Sequence, residues 1–201
     1  MFQKIMEKPL LYNLWSSIHF VPRLKEIKKE IRQDGHPHIL DLGCGTGLFK
    51  KNYPDCTYVG IDTNGRYIDH ARKHLDGHFI LGDILQPERY LGRSRFDYIV
   101  ANGVLHHLDD NSVTRLMRHI GDYLTPGGSI IVVDHIYHDG LNALNRMLLH
   151  YDRGSFSRTE AAYRTLFQDL SIASYKEFYI KAGPVVMWTQ CRFVLQKPGS
   201  T

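Results

Sequence analysis

Cysteine is scarce in this sequence. Cys44, Cys56 and Cys191 are the only three in 201 residues, and they lie far apart with no paired spacing. That excludes a disulfide framework as the basis of the fold and suits a reducing compartment. Long hydrophobic runs are missing as well. None approaches the ~18 residues that a membrane span requires, and the first residues show no signal-peptide pattern, so a cytoplasmic protein with no membrane association is expected. There is also no block of one charge sign. The formal net charge is only +4, and the densest basic run, Arg23 to Arg32, is interrupted by Glu26 and Glu30. Apolar residues recur through that run at helical spacing, which makes it a solvated helix face rather than a stripe for nucleic acid.

What remains is ordinary for a globular protein. Hydrophobic residues make up 43% and charged residues 23% of the chain, enough for one domain over residues 1–201 with a sizeable core. The sequence is organised around Asp41-Leu42-Gly43-Cys44-Gly45-Thr46-Gly47. An apolar run, His38-Ile39-Leu40, leads into it and a helical pattern, Leu48-Phe49-Lys50-Lys51, leaves it. Alternate glycines between a strand and a helix make a backbone that turns sharply and admits a ligand close against it. Asp62 follows about twenty residues later, at the end of a second apolar run. At that offset in a βαβ unit an acidic side chain reaches the ribose hydroxyls of a nucleotide-like ligand.

Two helices are expected before the first strand, together covering residues 1–34. The first carries Leu10, Leu11, Leu14, Trp15 and Ile18 and is either a cover for the sheet or, with Tyr12 and Trp15, part of a lid over the ligand. The second begins near Pro22 and carries Leu24, Ile27 and Ile31 on one side. Strands and helices then alternate. Strands are expected at 57–61, 78–81, 96–101 and 129–133, with helices over 65–75 and from Asp109 or Asp110 to Leu124, the latter stopped by Pro126-Gly127-Gly128. Residues 36–135 thus read as a ligand-binding core. Beyond it, residues 136–201 carry a helix over 141–151, a second opened by the capping-box spacing Ser157–Glu160 and running to Leu170, and two strands, 172–180 and 185–195. The turn at Ala182-Gly183-Pro184 is too short for anything but an antiparallel pair. The expected fold is α/β, a mainly parallel seven-stranded Rossmann-like sheet with helices on both faces and a C-terminal antiparallel hairpin.

The glycine segment, Gly60-Ile61-Asp62, Gly82-Asp83-Ile84 and Leu105-His106-His107-Leu108, together with the terminal hairpin, resemble the class I S-adenosylmethionine-dependent methyltransferases. The resemblance is close over residues 39–134 and only architectural elsewhere. It implies S-adenosylmethionine as cofactor, with Asp41, Gly43, Cys44, Gly45 and Gly47 at its amino-acid end. It further implies Asp62 and Thr63 at the ribose, Asp83 and Ile84 at the adenine, and Asn102 with Gly103 beside the sulfonium. These positions all fall at the carboxyl ends of successive strands, where open α/β sheets bind ligands. NAD fits less well, because the glycines fall at 43, 45 and 47 rather than in G-x-G-x-x-G, and Asp41 would repel a pyrophosphate.

Absences narrow the acceptor. Asn102-Gly103-Val104-Leu105 is not the Asp/Asn-Pro-Pro-aromatic segment common in methylation of nucleic-acid amines, and no basic patch with interleaved aromatics suggests a nucleic-acid partner. Neither the paired glutamates of arginine methylation nor the acidic trio of metal-dependent catechol enzymes is evident. The expected acceptor is a small molecule, methylated most simply on oxygen. A methyltransferase-like protein that binds the cofactor without transferring it, or an RNA-modifying enzyme, are the alternatives. An oxygen acceptor must lose a proton, and a base with a pKa near neutrality is best suited to take it. His107 is the first candidate, with His106 next and His135, beside Asp134, in reserve. Among the twelve histidines, His70 and His74 share a helix face, but no third ligand at recognisable spacing accompanies them, and no metal site is expected.

Overall fold

The computed structural model describes residues 20–32, 35–151 and 156–199, and for residues 150 and 151 the backbone alone. Its centre is a seven-stranded sheet in the order β3-β2-β1-β4-β5-β7-β6. The strands are β1 (His38–Leu42), β2 (Thr57–Asp62), β3 (His78–Leu81), β4 (Phe96–Asn102), β5 (Leu124–His135), β6 (Ser171–Ala182) and β7 (Val185–Gln196). The first five pair in parallel, while β7 runs antiparallel to both β5 and β6. The order reverses between β1 and β4, so a crevice opens there at the carboxyl ends of the strands.

Seven helices flank the sheet among the described residues. Residues 20–28 form α1, followed by α2 (Leu48–Asn52), α3 (Gly65–His74), α4 (Glu88–Leu91), α5 (Asp110–Ile120), α6 (Ala143–Tyr151) and α7 (Glu160–Leu166). The period-two alternation of the strands divides the core in two. Ile39, Tyr58, Val100, Ile131 and Val133 face one way and bury Leu24 and Ile27 of α1, Phe49 of α2, and Ile68 and Ala71 of α3. Leu40, Leu42, Ile61, Ile99 and Val132 face the other way against Val113, Leu116, Met117 and Ile120 of α5 and Tyr163 and Leu166 of α7.

Most boundaries lie within a residue or two of the sequence pattern, and the departures have local causes. The helix before β5 ends at Ile120, passes through a 3-10 turn over Gly121–Tyr123, and Leu124 already begins β5. Pro126-Gly127-Gly128 therefore lies inside the strand, at the point where the β4–β5 register shifts between Phe96 and Tyr98. The cap of α7 is Thr159, whose hydroxyl accepts from the Ala162 N–H, and the helix stops at Leu166 instead of Leu170. Ser157 does not serve as its cap, because Arg158 between them pairs in a bridge with Ile136 and turns inward. The short α4 and the 3-10 turn over Leu105–His107 are invisible to periodicity, being too brief to show one. The proposed lid residues Tyr12 and Trp15 lie outside the described residues.

Candidate active site

The glycine loop is sewn to the end of β2. The N–H groups of Gly43 and Cys44 both donate to the Ile61 carbonyl, at 2.8 and 3.1 Å. Asp62 completes the seam. One carboxylate oxygen accepts from the Gly45 N–H and the other from the Asn64 N–H, each at 2.8 Å. Gly43 holds φ +70°, and a Cβ there would stand 2.6 Å from the Val104 side chain, so only glycine lets the loop pass the start of the Leu105–His107 turn. Burial pushes the Asp62 carboxyl up, an effect its backbone donors partly offset. Each carboxylate oxygen offers two acceptor positions, so this seam leaves capacity for further donors such as hydroxyls.

Asp41 is 3% exposed and accepts from the Tyr58 hydroxyl at 2.7 Å. Burial pushes its carboxyl up to about 7, the Tyr58 hydrogen bond opposes that rise, and the nearby Asp62 charge adds to it. Cys44 and Gly47 are buried in the same loop, while Thr63 is exposed just beyond Asp62. Asp83 accepts from the Leu85 N–H at 2.9 Å and from the Gln86 amide at 3.2 Å, closing the turn after β3, and Ile84 is buried beside it. Leu81, paired with Asp62 across the β2–β3 register, is 52% exposed. It presents an apolar wall beside the Asp62 carboxylate, a feature its β-strand setting conceals in the sequence.

The three histidines come together at the ends of β4 and β5, each in a different setting. His106 is 4% exposed, and its Nδ1 lies 2.5 Å from a carboxylate oxygen of Asp134, which is fully buried. The second Asp134 oxygen accepts from the His106 backbone N–H at 3.0 Å. Burial alone would raise the Asp134 carboxyl. The charge and hydrogen bond of the His106 ring, with His135 and Arg23 nearby, outweigh it and hold the group well below the usual carboxylate range. An ionised Asp134 can only accept, so the proton between the two groups sits on His106 Nδ1 and Nε2 is directed away from the carboxylate. His107 is exposed and lies with its ring centre 4.1 Å from that of His106.

His135 follows Asp134, and its ring meets the His106 ring edge-on with centres 4.9 Å apart. The His135 Nδ1 lies 2.7 Å from the Gln190 amide and its Nε2 lies 3.1 Å from the Arg23 guanidinium, which also donates to Gln190 at 2.7 Å. Gly103, at φ +65°, makes room for that guanidinium, since a Cβ there would meet it at 2.2 Å. Beside it, the Asn102 side-chain oxygen is buried with no hydrogen-bond partner among the described residues. A buried acceptor without a donor at the crevice mouth is what a positively charged or proton-bearing ligand group would satisfy. Arg23 and Gln190 are absent from the expected site because 167 residues separate them in the chain. His70 and His74 remain on the outer surface of α3, where the His74 ring bonds the His70 carbonyl. No group of three metal-binding side chains exists among the described residues.

Residues 16–171 match the family described as the methyltransferase domain. The chain belongs to that family. It is an S-adenosylmethionine-dependent methyltransferase with a Rossmann-like sheet. This methyltransferase is 27% identical over 195 residues to carboxy-S-adenosyl-L-methionine synthase of Marinobacter nauticus, a match spanning 85% of this chain and 76% of the relative. It is 30% identical over 122 residues to malonyl-[acyl-carrier protein] O-methyltransferase of Halalkalibacterium halodurans, spanning 56% of this chain but only 44% of that enzyme. Among solved structures, a SAM-dependent methyltransferase from Methanosarcina mazei superposes with a TM-score of 0.69 at 18% identity, over 85% of this chain and 96% of the other. Further relatives include trans-aconitate 2-methyltransferase of Delftia acidovorans and probable tRNA methyltransferase 9B of Homo sapiens. No described helix is long and apolar enough to cross a membrane.

Proposed function

We propose that this methyltransferase transfers a methyl group to an oxygen atom of a small-molecule acceptor, with His106 as the proton acceptor and Asp134 as the group that orients and supports it. The observation that carries this reading is the buried His106–Asp134 pair, 2.5 Å apart, at the same strand ends as the glycine loop and Asn102. A histidine whose Nδ1 faces an ionised carboxylate is held in one tautomer and orientation, with Nε2 available to take a proton. His107 stands beside it but is exposed, whereas His106 is buried against Asp134.

The cofactor residues support the same reading. Asp62 offers acceptors for vicinal hydroxyls, Leu81 an apolar wall for the adenosine, and Asp83 with Ile84 the floor after β3. Gly43, Gly45 and Gly47 give the backbone its close approach, the buried Asp41 carboxyl lies under the amino-acid end, and Asn102 with Gly103 faces the reacting end. S-adenosylmethionine supplies an electrophilic methyl group on a sulfonium, so the protein need only align and deprotonate. An acceptor hydroxyl held at the mouth would pass its proton to His106 Nε2 as its oxygen is methylated, the bound cofactor supplying the methyl cation equivalent and keeping the electron pair as a neutral thioether. The positive charge formed on His106 is then paired with Asp134, in a site where water does not compete. Residues 36–135 hold the cofactor and residues 136–201 complete the acceptor side of one domain. The three free, buried cysteines suit a reducing compartment such as the cytoplasm.

The experiment uses cofactor labelled on its methyl group, incubated with the protein and a metabolite extract. Label should pass to a small molecule, and His106→Gln should slow that transfer by ~10²-fold or more while leaving affinity for S-adenosylhomocysteine intact. Near-normal turnover in His106→Gln would remove the base role, and label in RNA would overturn the acceptor class.

A further inference from the structure

Arg158 is 5% exposed and stands one residue before the cap of α7, yet two of the acceptors of its guanidinium lie at the two ends of the histidine turn. Nη1 donates to the carbonyl of Leu105 at 2.9 Å and to that of Phe156 at 3.3 Å. Nη2 donates to the carbonyl of Leu108, at 2.5 Å. Nε donates to the Asp110 carboxylate at 2.8 Å, in the first turn of α5. Leu105 and Leu108 are the first residue of the 3-10 turn and the residue that closes it, so the guanidinium spans the turn that carries His106. A turn this short makes few internal hydrogen bonds, and its carbonyls need outside donors when buried. The segment around Arg158 adds a second hold, since the Phe156 N–H donates to the His106 carbonyl at 3.1 Å.

The strut is anchored at its far end as well. The Arg158 backbone pairs with Ile136, one residue past β5, and its carbonyl accepts from the Tyr137 N–H at 2.8 Å. Its guanidinium also lies 5.8 Å from the ring centre of the fully buried Tyr163. Arg158 therefore ties the turn bearing His106 to the strand bearing Asp134, from the side of the sheet that Asp134 faces. A planar guanidinium with five N–H groups in fixed directions can serve four acceptors at once, which an ammonium on a flexible stem cannot match.

We infer that Arg158 is a positioning residue for methyl transfer: it fixes the Leu105–His107 turn so that the His106 ring keeps its bond to Asp134. This rests on the reading of His106 given above. Arg158 does not touch the glycine loop, Asp62 or Asp83 through any described contact, so its effect should fall on the proton and not on the cofactor.

The test uses the full-length protein. A proton held between His106 Nδ1 and Asp134 should give a proton NMR signal far downfield of the amides, identified by its absence in His106→Gln. In Arg158→Lys and Arg158→Met that signal should broaden away or move upfield, while affinity for S-adenosylhomocysteine stays within about threefold of the parent. The rate of label transfer at neutral pH should fall by ~10-fold or more, through kcat and not through the KM for cofactor. Asp110→Asn, which removes one exposed partner of Arg158, should perturb the signal in the same direction but less, and it carries the test with Arg158→Lys if Arg158→Met does not fold. An unchanged signal in the folded Arg158 variants would overturn this inference alone. Absence of the signal from the parent protein would overturn the His106–Asp134 pairing, and the inference with it. A loss confined to cofactor affinity would likewise refute it.

Discussion

Replacing Asp134 with asparagine isolates the buried pair, because the shape is retained and the charge is lost. Asp134 accepts from His106 Nδ1 at 2.5 Å, from the His106 N–H at 3.0 Å and from the His135 N–H at 2.8 Å. An asparagine keeps one acceptor oxygen. Its amide nitrogen must then face at least one of those N–H groups, placing donor against donor in a site with no solvent. Losing a charge-assisted bond costs about 1.5–3 kcal/mol, and breaking one member out of a buried pair costs about 3–5 kcal/mol in all. His106 can relieve part of this by moving its proton to Nε2 and accepting at Nδ1, so the lower end applies, ~3 kcal/mol. For a chain of this size that is a fall of roughly 6–12 °C in melting temperature. The pH dependence follows from the depressed carboxyl. The stability it supplies is present above the unfolded carboxylate range and is lost as pH falls through and below it, so parent and variant should converge in acid. Urea titrations at pH 7 and near pH 2 measure both quantities. A loss below ~1 kcal/mol at pH 7, or an equal loss at both pH values, would refute the claim that Asp134 is held as a paired carboxylate.

Asp62→Ala should weaken binding of S-adenosylhomocysteine by ~1.5–3 kcal/mol, since it removes the acceptor for hydroxyls and one tether of the Gly45 N–H; calorimetric titration showing unchanged affinity would take Asp62 out of the site. Asp41 carries the opposite pH sign to Asp134. Its folded pKa of about 7 lies above the unfolded value, so the fold is most stable where the group is protonated and loses stability as pH rises from ~4 through 7. The loss can reach roughly 4 kcal/mol for a shift of about three pH units, and Asp41→Asn should flatten the stability profile between pH 5 and 8. A profile no flatter than that of the parent would show that Asp41 is not the group responsible.

Much of the architecture is legible in the linear chain because it rests on local rules. Apolar runs of four to seven residues between turn signals mark the parallel strands, Asn64 and Asp109 mark helix starts with side chains that accept from the first turn, and Gly183-Pro184 forces β6 and β7 to run antiparallel. The cofactor loop is legible for the same reason: Gly43 must adopt a positive φ, and a strand, a loop and an acidic residue at the next strand end are all fixed by spacing. The capping-box reading of Ser157 fails because a tertiary demand outweighs it. Arg158 is drawn inward to four acceptors spread over residues 105–156, and the cap passes to Thr159.

Which histidine meets a buried carboxylate is decided by packing and not by position. In sequence His106 and His107 are equivalent neighbours. In the folded chain a one-residue step separates a ring buried on Asp134 from one exposed to solvent, because the 3-10 turn rotates successive side chains apart. Asp134 and His135, adjacent on β5, take different hydrogen-bond partners, the first His106 and the second Arg23 and Gln190, while the His106 and His135 rings meet edge-on. The sequence by itself therefore determined the order of strands and helices, the glycine loop and the acidic residues at the strand ends, all of which follow from contacts within a few residues. The tertiary structure alone decided the His106–Asp134 pair, the Arg23–Gln190–His135 cluster and the Arg158 strut. The side-chain contacts that define them reach up to 167 residues along the chain, and no local pattern encodes which distant side chains a folded sheet brings together.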